Sequence, residues 1–226
     1  MTAFTNIGLY SPKQAERLIG VEAEKIRRWL MPERSTKGPL WEPEPHALGA
    51  EDTLSFKDLL ELRAVAEFRR HNVSLSVIRE ALHTLSEYLK RDYPLINPQL
   101  STDGKQVFLK ALEESGETSV IDLVKRQNVF KDVIVPSLIA GIKFDADGHP
   151  ILWQPDPENP NIVVDPRFAF GKPIVLPSHM PTATLAQAVE VEGSPEDAAR
   201  AYDVTQEEVE DAVKFEKRIL SGALLH

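Results

Sequence analysis

Apolar residues recur at helical spacing in two short runs near the start of the chain, with a glycine between them. In Tyr10 to Leu30, YSPKQAERLIGVEAEKIRRWL, one stripe is Ala15, Leu18 and Ile19 and the other is Ile26, Trp29 and Leu30. Ser11 suits an N-cap, Pro12 sits where a first-turn N–H needs no partner, and Gly20 breaks the helix before a buried Val21. The second run leaves Lys25, Arg27 and Arg28 on its outer face, the groups that a DNA phosphate or base edge accepts. The pattern reads either as a helix-turn-helix or as two ordinary short helices of a helical domain.

From Met31 to Thr53 the period stops. Pro32, Gly38, Pro39, Pro43, Pro45 and Gly49 prevent a regular helix, leaving a wing that would carry Arg34 and Lys37 to a DNA backbone, or a linker. Leu54 to Arg70 then resumes the helical stripe with Phe56, Leu59, Leu60, Leu62, Val65, Ala66 and Phe68, capped by Ser55. After a break at His71-Asn72-Val73, Ser74 or Ser76 caps a further helix on Val77, Ile78, Ala81, Leu82, Leu85 and Leu89.

The middle third changes character. Pro94 and Pro98 end the helix, Asp103-Gly104 and Ser115-Gly116 mark turns, and Val107 to Leu109 reads as a strand. A short helix on Phe130, Val133, Ile134, Leu138 and Ile139 follows, interrupted by Pro136, and then a hairpin from Ile142 to Trp153 about Asp147-Gly148. PDPENP, Pro155 to Pro160, is a linker by composition. Beyond it come Ile162 to Val164, a short strand pair or arm from Phe168 to Val175, and helices over Thr184 to Val191, Asp197 to Tyr202 and Gln206 to Leu220. Ser194 and Thr205 cap the last two. The expected fold is therefore mainly α: a helical N-terminal domain over residues 1–93, a small α+β middle module over 94–155 and a trihelical, helix-turn-helix-like domain over 156–226.

Charge sharpens this division. The formal net charge is -9, yet Lys and Arg balance Asp and Glu over residues 1–95, while residues 96–160 stand at -4 and residues 161–226 at -5. A DNA-facing surface belongs in the first third, and the acidic remainder suits protein partners. Glu207, Glu208, Glu210 and Asp211 crowd the start of the last helix, where they favour the dipole and repel phosphate. The hydrophobic share of 42% supports an ordinary buried core, and the absence of cysteine removes disulfides and thiolate chemistry. No apolar run reaches membrane-spanning length and the N-terminus lacks a signal-peptide pattern, so the expected location is the cytoplasm.

Candidate catalytic chemistry is sparse. Asp145 to His149 contains part of a calcium-loop spacing but lacks its further ligands and closing glutamate, which leaves a hairpin turn. Neither His149 nor His179 has a serine or cysteine nucleophile with an elbow motif nearby, and no phosphate-cradling glycine loop occurs. The expectation is no enzyme, no cofactor and no metal.

The first segment together with LSFKDLLELRAVAEFRRHNVSLSVIREAL resembles the MerR-type winged helix-turn-helix family in the order helix, helix, wing, helix, helix. That resemblance covers about the first 90 residues and implies DNA contact through Ser11, Lys25, Arg27 and Arg28, with Arg34 and Lys37 in the wing. The long heptad helix by which that family dimerises is absent after Leu89. A second segment, IVVDPRFAFGKPIVLPSHMPTATLAQAVEVEGSPEDAARAYDVTQEEVEDAVKFE, resembles a small domain of VapB-like bacterial antitoxins. The likeness rests on Asp165-Pro166, Gly171-Lys172-Pro173 and Pro181-Thr182. Pro177-Ser178-His179 stands where that family usually has Gly-Thr-Arg. The two resemblances imply a homodimeric antitoxin that binds its own operator DNA and silences a PIN-like ribonuclease toxin. The alternatives are a MerR-like regulator sensing a small ligand without a toxin, and a purely structural interaction protein.

Overall fold

The computed structural model describes residues 6–31, 38–46, 49–101, 110 and 135–221. The expected wing residues Arg34 and Lys37, the turns at 103–104 and 115–116, the strand at 107–109 and Phe130, Val133 and Ile134 of the expected short helix lie outside them. The described chain is mainly helical with one small antiparallel sheet.

α1 (Pro12–Ile19) begins in a capping box. The Gln14 backbone N–H donates to the Ser11 hydroxyl at 3.3 Å, and the Gln14 side chain accepts the Ser11 N–H at 2.8 Å. Gly20, at φ 67°, closes it in the left-handed region. α2 (Ala23–Leu30) buries Ile26, Trp29 and Leu30, as its stripe predicts, and Val21 is buried in the turn. A bridge between Tyr10 and Leu54, 2.9 Å in each direction, joins the two sides of the intervening loop.

α3 (Phe56–Arg70) is the central helix. It is capped by a Ser55–Asp58 box and buried on nearly every side, including two acids that the amphipathic pattern would place in solvent. Asp58 accepts from Ser55 N (2.8 Å), Trp41 Nε1 (2.7 Å), Tyr93 Oη (3.1 Å) and Glu44 N (3.2 Å), and so pins the loop and the exit from α4 to α3. Glu61 accepts the N–H groups of Leu95 and Ile96 at 3.1 and 3.2 Å. Burial pushes its carboxyl up to about 8 despite those two donors.

α4 (Leu75–Leu89) starts at the Ser74 cap and ends at Lys90 in the left-handed region. Two 3-10 turns, Pro94–Ile96 and Pro98–Ser101, and the short α5 (Val135–Ile139) complete this side of the molecule. Arg63 of α3 reaches across to donate to the carbonyls of Leu138 (2.6 Å) and Ala140 (3.3 Å), with its guanidinium 5.3 Å above the Trp153 ring.

The sheet is a meander in the order β1 (Ile142–Phe144), β2 (Pro150–Trp153), β3 (Ile162–Val164), β4 (Pro173–Val175), β5 (Met180–Pro181). Its register runs Ile142 to Trp153, Trp153 to Val164, Val164 to Pro173 and Val175 to Met180. The boundary expected at residue 155 thus falls inside a continuous sheet, because Trp153 pairs with Val164 on the far side of the PDPENP segment.

α6 (Thr182–Glu192), α7 (Pro195–Tyr202) and α8 (Gln206–Ser221) pack on one another and on this sheet. The Ser194 cap forms, and Thr205 and Glu208 cap α8 reciprocally. Burial raises the Glu208 carboxyl, but hydrogen bonds from Thr205 and Ser178 outweigh it and hold it down at about 2.

The helical unit and the sheet unit share one hydrophobic core, running from Tyr10 to Ile219. They are joined at α1. Tyr10 Oη donates to the Gly171 carbonyl at 2.7 Å, Leu9 N–H to the Phe170 carbonyl at 3.0 Å, and Arg17 to Glu216 at 3.1 Å. Glu216 also accepts from the Thr182 hydroxyl at 2.5 Å.

Candidate nucleic-acid interface

The Gly20 break turns α2 so that Lys25 and Arg28 project from one side while Ile26 and Trp29 enter the core. α3 and α4 meet at a corner, Asn72 with φ 62°, that brings the basic end of one helix to the capped start of the other. The result is a cleft of about 910 Å³. Its charged lining comprises Lys25, Arg28, Arg69, Arg70 and Arg79 against Glu22, and the side chains of Ser74 and Ser76 lie along it. Five cations from three helices therefore share one concave surface in a chain whose net charge is -9.

Several of these cations are held in place. Arg69 donates to the Val73 carbonyl (2.6 Å), Arg79 to the Gly38 carbonyl (2.7 Å), Arg70 to Glu67 (2.6 Å) and Lys25 to Glu22 (2.6 Å). Arg28 is exposed and makes no ion pair among the described residues. Chemically, the cleft offers positioned guanidinium donors, hydroxyls and the N-terminus of α4, the groups that hold phosphate oxygens.

The residues singled out from sequence are dispersed by the fold. Lys25 and Arg28 line the cleft. Arg27 does not, and its guanidinium is paired with Asp52 at 3.1 Å and lies 3.9 Å from Glu24. Ser11 caps α1 and is not part of the cleft lining. Arg69, Arg70 and Arg79, which also line the cleft, are not among the residues singled out from sequence. Their signal was the basic FRRHNVSLSVIR corner, whose position beside α2 depends on tertiary packing.

Asp145, Asp147 and His149 bring ligand atoms within 4.8 Å of one another, all on exposed side chains. Asp145 already accepts the N–H groups of Asp147 (3.0 Å) and His149 (2.8 Å), and Arg91 stands 2.9 Å from His149 Nε2. Hydrogen bonds, led by that from the His149 backbone, lower the Asp145 carboxyl. This is the chemistry of a hairpin turn, with a cation where a metal would need an acid. No helix among the described residues is long and apolar enough to cross a membrane.

No family model matches the chain. A Mycobacterium tuberculosis protein named "Putative antitoxin VapB45" is 28% identical to it over 225 residues, covering 92% of this chain and 93% of the relative. A second protein of that organism, Rv2308, is 25% identical, covering 96% and 94% respectively. The crystal structure of Rv2018 from Mycobacterium tuberculosis matches with a TM-score of 0.72 at 28% identity, covering 92% of this chain and 99% of that one. Similarity to an antitoxin-named protein across nearly the whole of both chains supports a relationship to VapB-like antitoxins.

Proposed function

We propose that the chain is the antitoxin of a bacterial toxin-antitoxin pair. In this reading a homodimer binds operator DNA and represses its own transcription, and the chain binds and neutralises a PIN-like ribonuclease without itself being an enzyme. The observation that carries the DNA half is the five-cation cleft around α2, α3 and α4. α2 enters the major groove with Lys25 and Arg28, and the Arg69, Arg70 and Arg79 corner follows the adjacent backbone. The toxin half is supported by similarity to the antitoxin-named relative and by the acidic balance of residues 96–226. The antitoxin works in the cytoplasm, where its operator is.

Co-expression with the product of the neighbouring gene tests this reading. A stable complex whose ribonuclease activity is silenced is the expected result. A neighbour that neither binds the chain nor harms cells overturns it.

One observation favours a second reading, a MerR-like regulator without a toxin. A cleft of about 680 Å³ lies between α3, the end of α4 and the β1–β2 turn, lined by Trp41, Lys57, Lys90, Arg91, Tyr93 and His149 among others. Glu42, Glu44 and Asp92 also line it, balancing the three cations, and its size suits a small polar ligand. A ligand that changes operator affinity with no toxin bound would favour this reading over the first.

A further inference from the structure

The segment Arg167 to Lys172 holds three consecutive residues in the left-handed region: Ala169 (φ 46°), Phe170 (φ 55°) and Gly171 (φ 80°). Only the last is a glycine. The backbone of a phenylalanine resists this conformation, so the surroundings must impose it. They do so through the Phe170 and Gly171 carbonyls, which accept from Leu9 N–H and Tyr10 Oη, and through the local bond from Gly171 N–H to the Phe168 carbonyl at 2.8 Å.

The backbone serves the joint with α1, but the Phe170 side chain takes little part in it, being 71% exposed. Its neighbours are fixed as well. Asp165 is buried and grips Arg167 through Nε (2.9 Å) and a terminal nitrogen (2.5 Å). Phe168 stacks on His179 with ring centroids 4.2 Å apart, and the Arg167 guanidinium stands 5.9 Å from the Phe168 ring.

Charge placement selects the partner. Between residues 161 and 199 the sequence contains only two Lys or Arg, and these are Arg167 and Lys172, on either side of the phenylalanines. A rigid aromatic beside the exposed Lys172, with Arg167 already paired to Asp165, on a unit whose net balance is acidic, complements a partner with an apolar pocket rimmed by carboxylates. Residues 167–172 take no part in lining the candidate DNA cleft.

We propose that Arg167 to Lys172 is a preformed docking knob for an acidic protein, which seats an apolar pocket over Phe170 and sets its carboxylates against Lys172. The identification of that partner as the toxin rests on the antitoxin reading. Held by the hydrogen bonds from Leu9 and Tyr10, the knob loses little freedom on binding.

The test uses the full chain and the protein encoded beside it, with affinity measured by calorimetry. Phe170→Asn removes the ring and suits the left-handed backbone, so the free variant melts no lower than wild type. The proposal expects Phe170→Asn to weaken the complex at least tenfold, about 1.4 kcal/mol. It also expects Lys172→Glu to slow association and to reverse the salt dependence of its rate. If wild type forms the complex and Phe170→Asn binds within twofold of it, the knob is wrong and the antitoxin reading stands. If wild type forms no complex, both fall. A variant that loses operator affinity while keeping toxin affinity also overturns the knob, in favour of a nucleic-acid contact.

Discussion

Gly171→Ala probes the joint between the helical unit and the sheet unit at its tightest point. A Cβ built on Gly171 would meet Tyr10 Oη at 2.3 Å, Tyr10 Cζ at 3.0 Å and the Gly8 Cα at 3.2 Å, in a backbone at φ 80°. The left-handed conformation costs an alanine about 1 kcal/mol or somewhat more. Displacing the phenol costs more, because Tyr10 is 2% exposed and its hydroxyl would lose the 2.7 Å bond to the Gly171 carbonyl, at about 1 to 3 kcal/mol. The substitution should therefore destabilise the protein by about 2 to 4 kcal/mol. Tyr10→Phe removes both the nearest atom and the hydrogen bond it makes, while leaving the ring. Urea unfolding followed by tryptophan fluorescence on wild type, both single variants and the double variant gives the coupling energy. The clash predicts that Gly171→Ala costs at least about 1 kcal/mol less in the Tyr10→Phe background. Additive effects would refute the close approach of α1 to the sheet unit on which the joint rests.

Three further outcomes follow from buried or distant groups. Asp58→Ala strands donors from Trp41, Tyr93, Ser55 and Glu44 and should lower stability by about 3 to 5 kcal/mol, read from the urea midpoint. A loss below about 1 kcal/mol would mean that Asp58 is not the hub of this network. Glu61 is protonated in the folded state up to about pH 8, whereas its ordinary value is 4.5. The stability it contributes is full below pH 4.5 and is lost as pH rises towards 8. Glu61→Gln cannot titrate, so the stability difference between wild type and variant should shift in the variant's favour across that window, and a difference independent of pH would contradict the buried acid. Glu208 has the opposite sign, because its carboxyl is held at about 2. Its contribution is present above pH 4.5 and lost as pH falls towards 2, so Glu208→Gln should lose less stability than wild type over that acid range.

Local chemistry made much of the helical framework legible. Ser11, Pro12 and Gly20 bracket α1 within two residues, Ser74 and Thr205 cap the helices assigned to them, and Asp147-Gly148 turns the expected hairpin. What could not be read depends on partners distant in sequence. The periodicity of LLELRAVAEF gives a helix but not its burial on all sides, so Asp58 and Glu61 become internal anchors through contacts made by residues 41–44 and 93–96. Arg27 and Arg28 are adjacent on α2, and their surroundings differ through packing: Asp52 and Glu24 stand beside Arg27, while Arg28 lines the cleft. FAFGKPIV reads as strand because its residues favour extended backbone. Docking against Tyr10, 161 residues earlier in the sequence than Gly171, accompanies the left-handed knob at Phe170 instead.

The claim that the cleft around α2 is the DNA interface is tested most directly by the salt dependence of binding to the DNA upstream of the chain's own gene. Each lost phosphate contact reduces the slope of log affinity against log salt by about 0.9. Replacing Lys25, Arg28 and Arg70 together by alanine should flatten that slope by about 2 to 3 and weaken binding, while Arg27→Ala, already paired with Asp52 outside the cleft, should leave the slope as it is. An unchanged slope in the triple variant, or a flattening confined to Arg27→Ala, would contradict the account.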